Sequence, residues 1–162
     1  MTAAVPARRL VEALDAAGQT MATAESLTAG LLAATVAGVP GASVVLRGGV
    51  VVYATDVKHG LGGVDADLLA AHGTVAAETA AALAVAVRQR CAADWGVSLT
   101  GVAGPDEQDG QPVGTVYLGI AGPAGVDAIR LALTGDRWAI RLGAAGTAVV
   151  ELTRRVELSR AR

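Results

Sequence analysis

The chain has 162 residues, enough for one full hydrophobic core. Apolar types make up 52% of it and the mean hydropathy is +0.48, but the excess is Ala and Val. No uninterrupted apolar run approaches the ~20 residues of a spanning helix. A formal net charge of −2, with two Trp, two Tyr and no Phe, excludes both a basic field and a stacking platform for nucleic acid.

The opening residues, MTAAVPARRLVEALD, carry charges where a signal peptide needs an apolar segment. The expectation is a cytoplasmic protein with no membrane partner. Pro6 suits the first turn of a helix that buries Leu10, Val11 and Leu14 and stops at Gly18. Thr20 to Thr23 favours a strand, which leads through Glu25-Ser26 into a helix from Leu31. Ser43 to Tyr53 is a long β-like run in which Gly48-Gly49 marks a bulge or a close backbone approach. Thr55 to Leu61 and Asp65 to Ala71 are short helical pieces separated by Gly62-Gly63.

Ala80, Leu83, Ala84, Val87 and Cys91 recur at helical spacing, with Cys91 as a buried small side chain. A lone cysteine excludes a disulfide framework, and His59 and His72 are too few for a His-rich metal site. Trp95 to Thr100 is a strand, followed by a glycine-rich turn and the polar loop Asp106 to Gln111. Val113 to Ala121 and Val126 to Leu133 form a hairpin about Gly122-Pro123-Ala124-Gly125. Asp136 caps a last helix with Leu142, Ala145, Val149, Leu152 and Val156 on one stripe. Gly143, Ala144 and Gly146 give its other face the small residues of a subunit contact. Arg154, Arg155, Arg160 and Arg162 read as a solvated helix end. Early alternation and a late hairpin predict a single three-layer α/β/α domain, residues 1–162, on a mixed sheet.

Four places hold candidate chemistry. Ser26 stands at the carboxyl end of a strand, where open α/β sheets bind ligands, with helix-opening N–H groups beside it. It reads either as a nucleophile or as a plain helix N-cap. Tyr53 and Lys58 place a phenol and an ammonium at another strand end. With a serine, such a lysine makes a Ser-Lys nucleophile, and the alternative is a core tyrosine with a surface lysine. Thr100, Gly101, Ala103 and Gly104 bring backbone N–H groups to a possible anion. Arg137, at a helix start, offers a bidentate grip on phosphate or carboxylate, or a surface charge.

Taken together, AESLTAG, LRGGVVVYATDVKHGLGGV, HGTVAAETA, TGVAGPDEQDGQPVGTVYLGIA and TGDRWAIR resemble, in that order, the CinA C-terminal domain family. These are the nicotinamide-nucleotide amidohydrolases of the PncC type. The resemblance runs from the first helix to the last, and implies that the domain stands alone, without the second domain of longer CinA proteins. It implies hydrolysis of the carboxamide of nicotinamide mononucleotide to nicotinic acid mononucleotide and ammonia, with no cofactor or metal and with a homo-oligomeric assembly. The family's serine matches Ser26, and its tyrosine and lysine match Tyr53 and Lys58. Substrate-binding positions then fall at Glu25, Leu27, Thr28, Ala29, Gly30, Gly48, Gly49, Thr100, Gly101, Ala103, Gly104 and Arg137. N–H groups around Leu27 to Ala29 would hold an oxyanion, and Glu25 would bind ribose, fix Lys58 or serve as a helix-start carboxylate. Where the family often has glycine this chain has Ala29, and Ala76 replaces a helix-capping serine. The rival reading is a nucleotide-binding or interaction module of the competence/damage-inducible type, without turnover.

Overall fold

The computed structural model of the protein describes residues 4–161. Helix α1 (Ala4–Ala17) ends as its sequence demands: Gly18 takes φ +62°, and the N–H of Gln19 reaches back to the Leu14 carbonyl. Five strands make one sheet, with β1 (Met21–Glu25) next to one edge. On one side of β1 lies β2 (Leu46–Val51). On the other lie β3 (Trp95–Gly101), β4 (Thr115–Gly122) and β5 (Gly125–Ala132), giving the order β2-β1-β3-β4-β5. β1, β2 and β3 run parallel, and β4 is antiparallel to both of its neighbours, β3 and β5, so the sheet is mixed.

Helices cover both faces. On one, α1, α2 (Leu31–Ala37), α3 (Ala42–Val45) and α7 (Arg137–Arg160) close over a core that includes Leu10, Leu14, Val36, Leu99, Leu118 and Leu152. On the other, α4 (Thr55–Gly60), α5 (Ala66–His72) and α6 (Ala77–Arg90) pack on Ala22, Ala24, Val52, Leu83 and Val87. Residues of β1 alternate between the two clusters, as a doubly covered strand requires. The expected three-layer α/β/α domain is the one that forms. Because the chain leaves β1 for one neighbour and later returns to its other side, a crevice opens beyond the carboxyl ends of β1 and β3.

Several local expectations change. Ser43 to Val45 is a helical turn, because Gly41 opens it with φ +90° and Val45 is fully buried against the α1 side; packing overrides β propensity. β4 starts at Thr115 because Gly114 turns at φ +90°. Cys91 is half-buried at the end of α6. On α7 the expected Ala145, Val149, Leu152 and Val156 are buried, but Leu142 is exposed and Ala144, placed on the other face, is fully buried. Arg155 is no solvated end: it pairs with Asp127 of β5 and with Glu151. Arg162 lies outside the described residues. Among the described residues no helix is long and apolar enough to cross a membrane.

Candidate active site

Ser26 follows the last residue of β1, and its backbone N–H donates to the Leu99 carbonyl of β3 at 2.8 Å. It is not a helix cap. Gly30, at φ +94°, holds the N-cap position of α2 four residues later. The intervening residues form a tight turn in which Ala29 N–H donates to Ser26 O (3.0 Å) and Leu31 N–H to Thr28 O (3.0 Å). Ala29 adopts φ +49°, a left-handed conformation that costs an L-residue energy, and it faces solvent. Its N–H is spent inside the turn and does not reach an oxyanion. The N–H groups of Leu27 and Thr28 have no acceptor among the described residues.

The helix-opening N–H groups are not free, contrary to the sequence reading. Glu25, 1% exposed, accepts from Leu32 N–H (2.8 Å) and Ala33 N–H (3.0 Å), and from the Thr23 hydroxyl (3.1 Å). Its carboxylate therefore anchors α2 from the end of the preceding strand, and touches neither Lys58 nor the crevice. Of its three expected roles, the helix-start carboxylate is the one the geometry bears out.

Lys58 is 2% exposed, and its ammonium nitrogen lies 2.9 Å from Ser26 Oγ. The other two contacts of Nζ are the carbonyls of Val52 (2.9 Å) and Tyr53 (3.0 Å). Burial pulls its pKa down to about 8, against the opposing pull of the Asp109 carboxylate. The count of contacts matters. A neutral amine has two N–H donors and one lone pair, so with both donors on carbonyls the lone pair faces the serine hydroxyl. That is the arrangement of a base poised on a nucleophile.

Both residues line a cleft of about 90 Å³ with Leu27, Thr74, Thr100, Gly104 and Arg137. Arg137 donates to the Gly104 carbonyl and to the Tyr53 hydroxyl. The two anion-binding candidates, the 100–104 loop and Arg137, are thus one place. The Tyr53 phenol, half exposed, faces Arg137, so the part of this residue that meets Lys58 is its carbonyl. The Thr100 hydroxyl is occupied by the Thr74 carbonyl at 2.7 Å. Gly48 and Gly49 lie outside the cleft. The register of β2 on β1 skips Arg47, a bulge as expected, and a Cβ on Gly49 would overlap the Thr23 hydroxyl, so strand packing explains the pair. The Thr28 hydroxyl is buried with no partner, and Gly30 serves the turn.

Sequence reasoning missed Thr74, Asp109 and Arg141. Asp109 holds the polar loop to the cleft wall by accepting from Thr74 N–H (2.8 Å) and Thr74 Oγ (2.7 Å), bonds that lower its pKa. Arg141 donates to the carbonyls of Leu27 and Thr28. Its spacing from Arg137, one helical turn, was the available signal. No cluster of three or more His, Cys, Asp or Glu able to hold a metal occurs among the described residues.

Comparison with known proteins gives the family of the chain and of its fold. The family model of the CinA C-terminal domain matches residues 4–156. A CinA-like protein of Frankia casuarinae is 51% identical over 137 residues, covering 85% of this chain and 31% of that protein. A second, from Anaeromyxobacter sp. (strain Fw109-5), is 49% identical over 84% of this chain and 33% of its own length. The chain therefore spans about a third of the curated relatives it matches. Among solved structures, a CinA superfamily protein from Klebsiella pneumoniae superposes with TM-score 0.93 at 28% identity, covering 97% of this chain and 99% of that one. The competence/damage inducible protein CihA from Agrobacterium tumefaciens gives 0.90 at 31% identity, over 97% and 96% of the two chains. With a match over nearly its whole length in sequence and in fold, the chain belongs to the CinA C-terminal domain family.

Proposed function

We propose that this chain hydrolyses the carboxamide of nicotinamide mononucleotide, giving nicotinic acid mononucleotide and ammonia. The observation that carries the reading is the buried Lys58–Ser26 contact at 2.9 Å, with both remaining lysine contacts on carbonyl oxygens. Neutral Lys58 takes the Ser26 hydroxyl proton as Oγ bonds the carboxamide carbon, and the C=O electron pair moves onto oxygen. The N–H groups of Leu27 and Thr28 receive that oxyanion. Collapse expels the amide nitrogen, which leaves as ammonia with the proton from Lys58. Water then adds to the acyl-enzyme as Lys58 takes its proton, and Lys58 passes that proton to Ser26 Oγ as the Oγ–C bond breaks, releasing the acid and restoring free Ser26 and neutral Lys58. Arg137, with the N–H groups of Ala103 and Gly104, takes the nucleotide phosphate at the mouth of the cleft. Tyr53 serves through its carbonyl, which aims Lys58, and its phenol, which holds Arg137. No metal or cofactor enters this scheme.

The experiment is ammonia release from nicotinamide mononucleotide by the wild type and by Ser26→Ala and Lys58→Ala, with folding checked by circular dichroism. Turnover lost in both variants is the expected result. Turnover surviving Ser26→Ala overturns the nucleophile. A folded wild type that binds the nucleotide and returns it intact overturns the enzyme and favours a binding module.

A further inference from the structure

Arg141 extends from the second turn of α7, and no carboxylate lies within ion-pair distance of it among the described residues. Its guanidinium instead donates through Nε to Leu27 O (2.9 Å) and through Nη2 to Thr28 O (3.2 Å). The same group lies 4.9 Å over the Trp138 ring, which fixes its plane. A half-buried cation spent on two backbone carbonyls of one turn is an uncommon use of a charge. The turn in question carries the nucleophile.

Each peptide of that turn has a hydrogen at one end and an oxygen at the other, pointing opposite ways. The Ser26–Leu27 peptide, which owns the free Leu27 N–H, is held through its oxygen by Ala29 N–H. The Leu27–Thr28 peptide, which owns the free Thr28 N–H, has its oxygen held by Arg141. Among the described residues Arg141 makes the one hydrogen bond to this peptide, whose direction is what separates type I from type II turns; the β-branched Thr28, at negative φ, resists full reversal, and Arg141 fixes the tilt that remains. We propose that Arg141 is a positioning residue that holds the Leu27–Thr28 peptide with its N–H turned away from α7, as an oxyanion donor beside Ser26. Donation to Leu27 O also polarises the same peptide and strengthens its N–H as a donor. The inference rests on the amidohydrolase reading for its consequence, and on the turn geometry alone for its structural content.

The test compares the wild type with Arg141→Met, which keeps the stem and loses the donors, and Arg141→Lys, which keeps the charge and reaches one carbonyl. Crystal structures report the direction of the Leu27–Thr28 peptide. Steady-state ammonia release from nicotinamide mononucleotide reports kcat and KM. The expected result is a tilted, mixed or reversed peptide in Arg141→Met, with kcat lowered about 10- to 100-fold, KM nearly unchanged, and partial recovery in Arg141→Lys. An unmoved peptide in Arg141→Met overturns the inference. So does a reversed peptide with kcat intact. If Arg141→Met does not fold, Arg141→Lys decides: wild-type kcat with its peptide unmoved and the Leu27 carbonyl unbonded overturns it, and lowered kcat at constant KM and melting temperature supports it. A wild type that releases no ammonia overturns the substrate reading alone, and the peptide direction then judges Arg141 by itself.

Discussion

The two ends of the cleft are built on opposite principles. At the inner end Ser26 and Lys58 are almost wholly buried and held by backbone: Leu99 O for the serine, Val52 O and Tyr53 O for the lysine. At the mouth, Tyr53 and Arg137 are exposed and hold each other through long side chains. Backbone fixes atoms to a fraction of an ångström without rotamer entropy, whereas long side chains move easily. The cleft of about 90 Å³ is well below the roughly 300–1,000 Å³ of sites that enclose a whole small ligand. On the proposed function, the carboxamide would occupy the rigid end and the mouth would open for the rest of the nucleotide. Chemistry is fixed and recognition is adjustable.

The strongest way to break that comparison is to disable the inner end while keeping its charge. Arg has donors but never gives up its proton, so Lys58→Arg should lower ammonia release by about 10²–10⁴-fold, and raising the pH should not recover it. In the wild type the base works only when neutral. Activity should therefore climb about tenfold per pH unit until it levels above about 8, the value to which burial brings Lys58. Asp109 opposes that burial effect, so Asp109→Asn should move the midpoint to lower pH, and a pH–rate profile checks both signs.

The mouth should respond differently. Arg137→Ala removes a charged hydrogen-bond donor worth about 1.5–3 kcal/mol, so KM should rise about 10- to 100-fold with kcat nearly kept. A fall in kcat alone would place Arg137 with the chemistry and erase the contrast. The smallest effect belongs to the turn between the two. Ala29 pays for a left-handed conformation with its side chain in solvent, so Ala29→Gly should raise stability by up to about 1 kcal/mol in a denaturant titration and leave kcat unchanged.

Much of this was legible in the chain, for physical reasons that differ by element. The helix stop at Gly18, the Asp136 cap and the hairpin about Gly122 are local signals, and each forms where expected. Motif order carried the site: Ser26, Lys58, the 100–104 loop and Arg137 come together at one crevice. What failed was any inference about which donors are already spent. Nothing near Glu25 decides among its three expected roles in favour of the helix-start carboxylate, or reveals that the Tyr53 carbonyl and not its phenol meets Lys58, since both facts depend on direction in three dimensions. Ser43 to Val45 failed for another reason, because burial of Val45 outweighs β-branching. Arg141 went unseen because its partners are carbonyls, which every residue has.

The aiming of Lys58 has a consequence for how the site could be transferred between proteins. Its two carbonyl anchors lie five and six positions back along its own chain, while its link to Ser26 spans 32. The segment from Val52 to Lys58 is therefore a short-range module that carries both anchors of its own amine. Grafted as a unit after the edge strand of another parallel sheet, it would bring a pre-aimed base with it, leaving the host to supply a single serine at the end of the neighbouring strand.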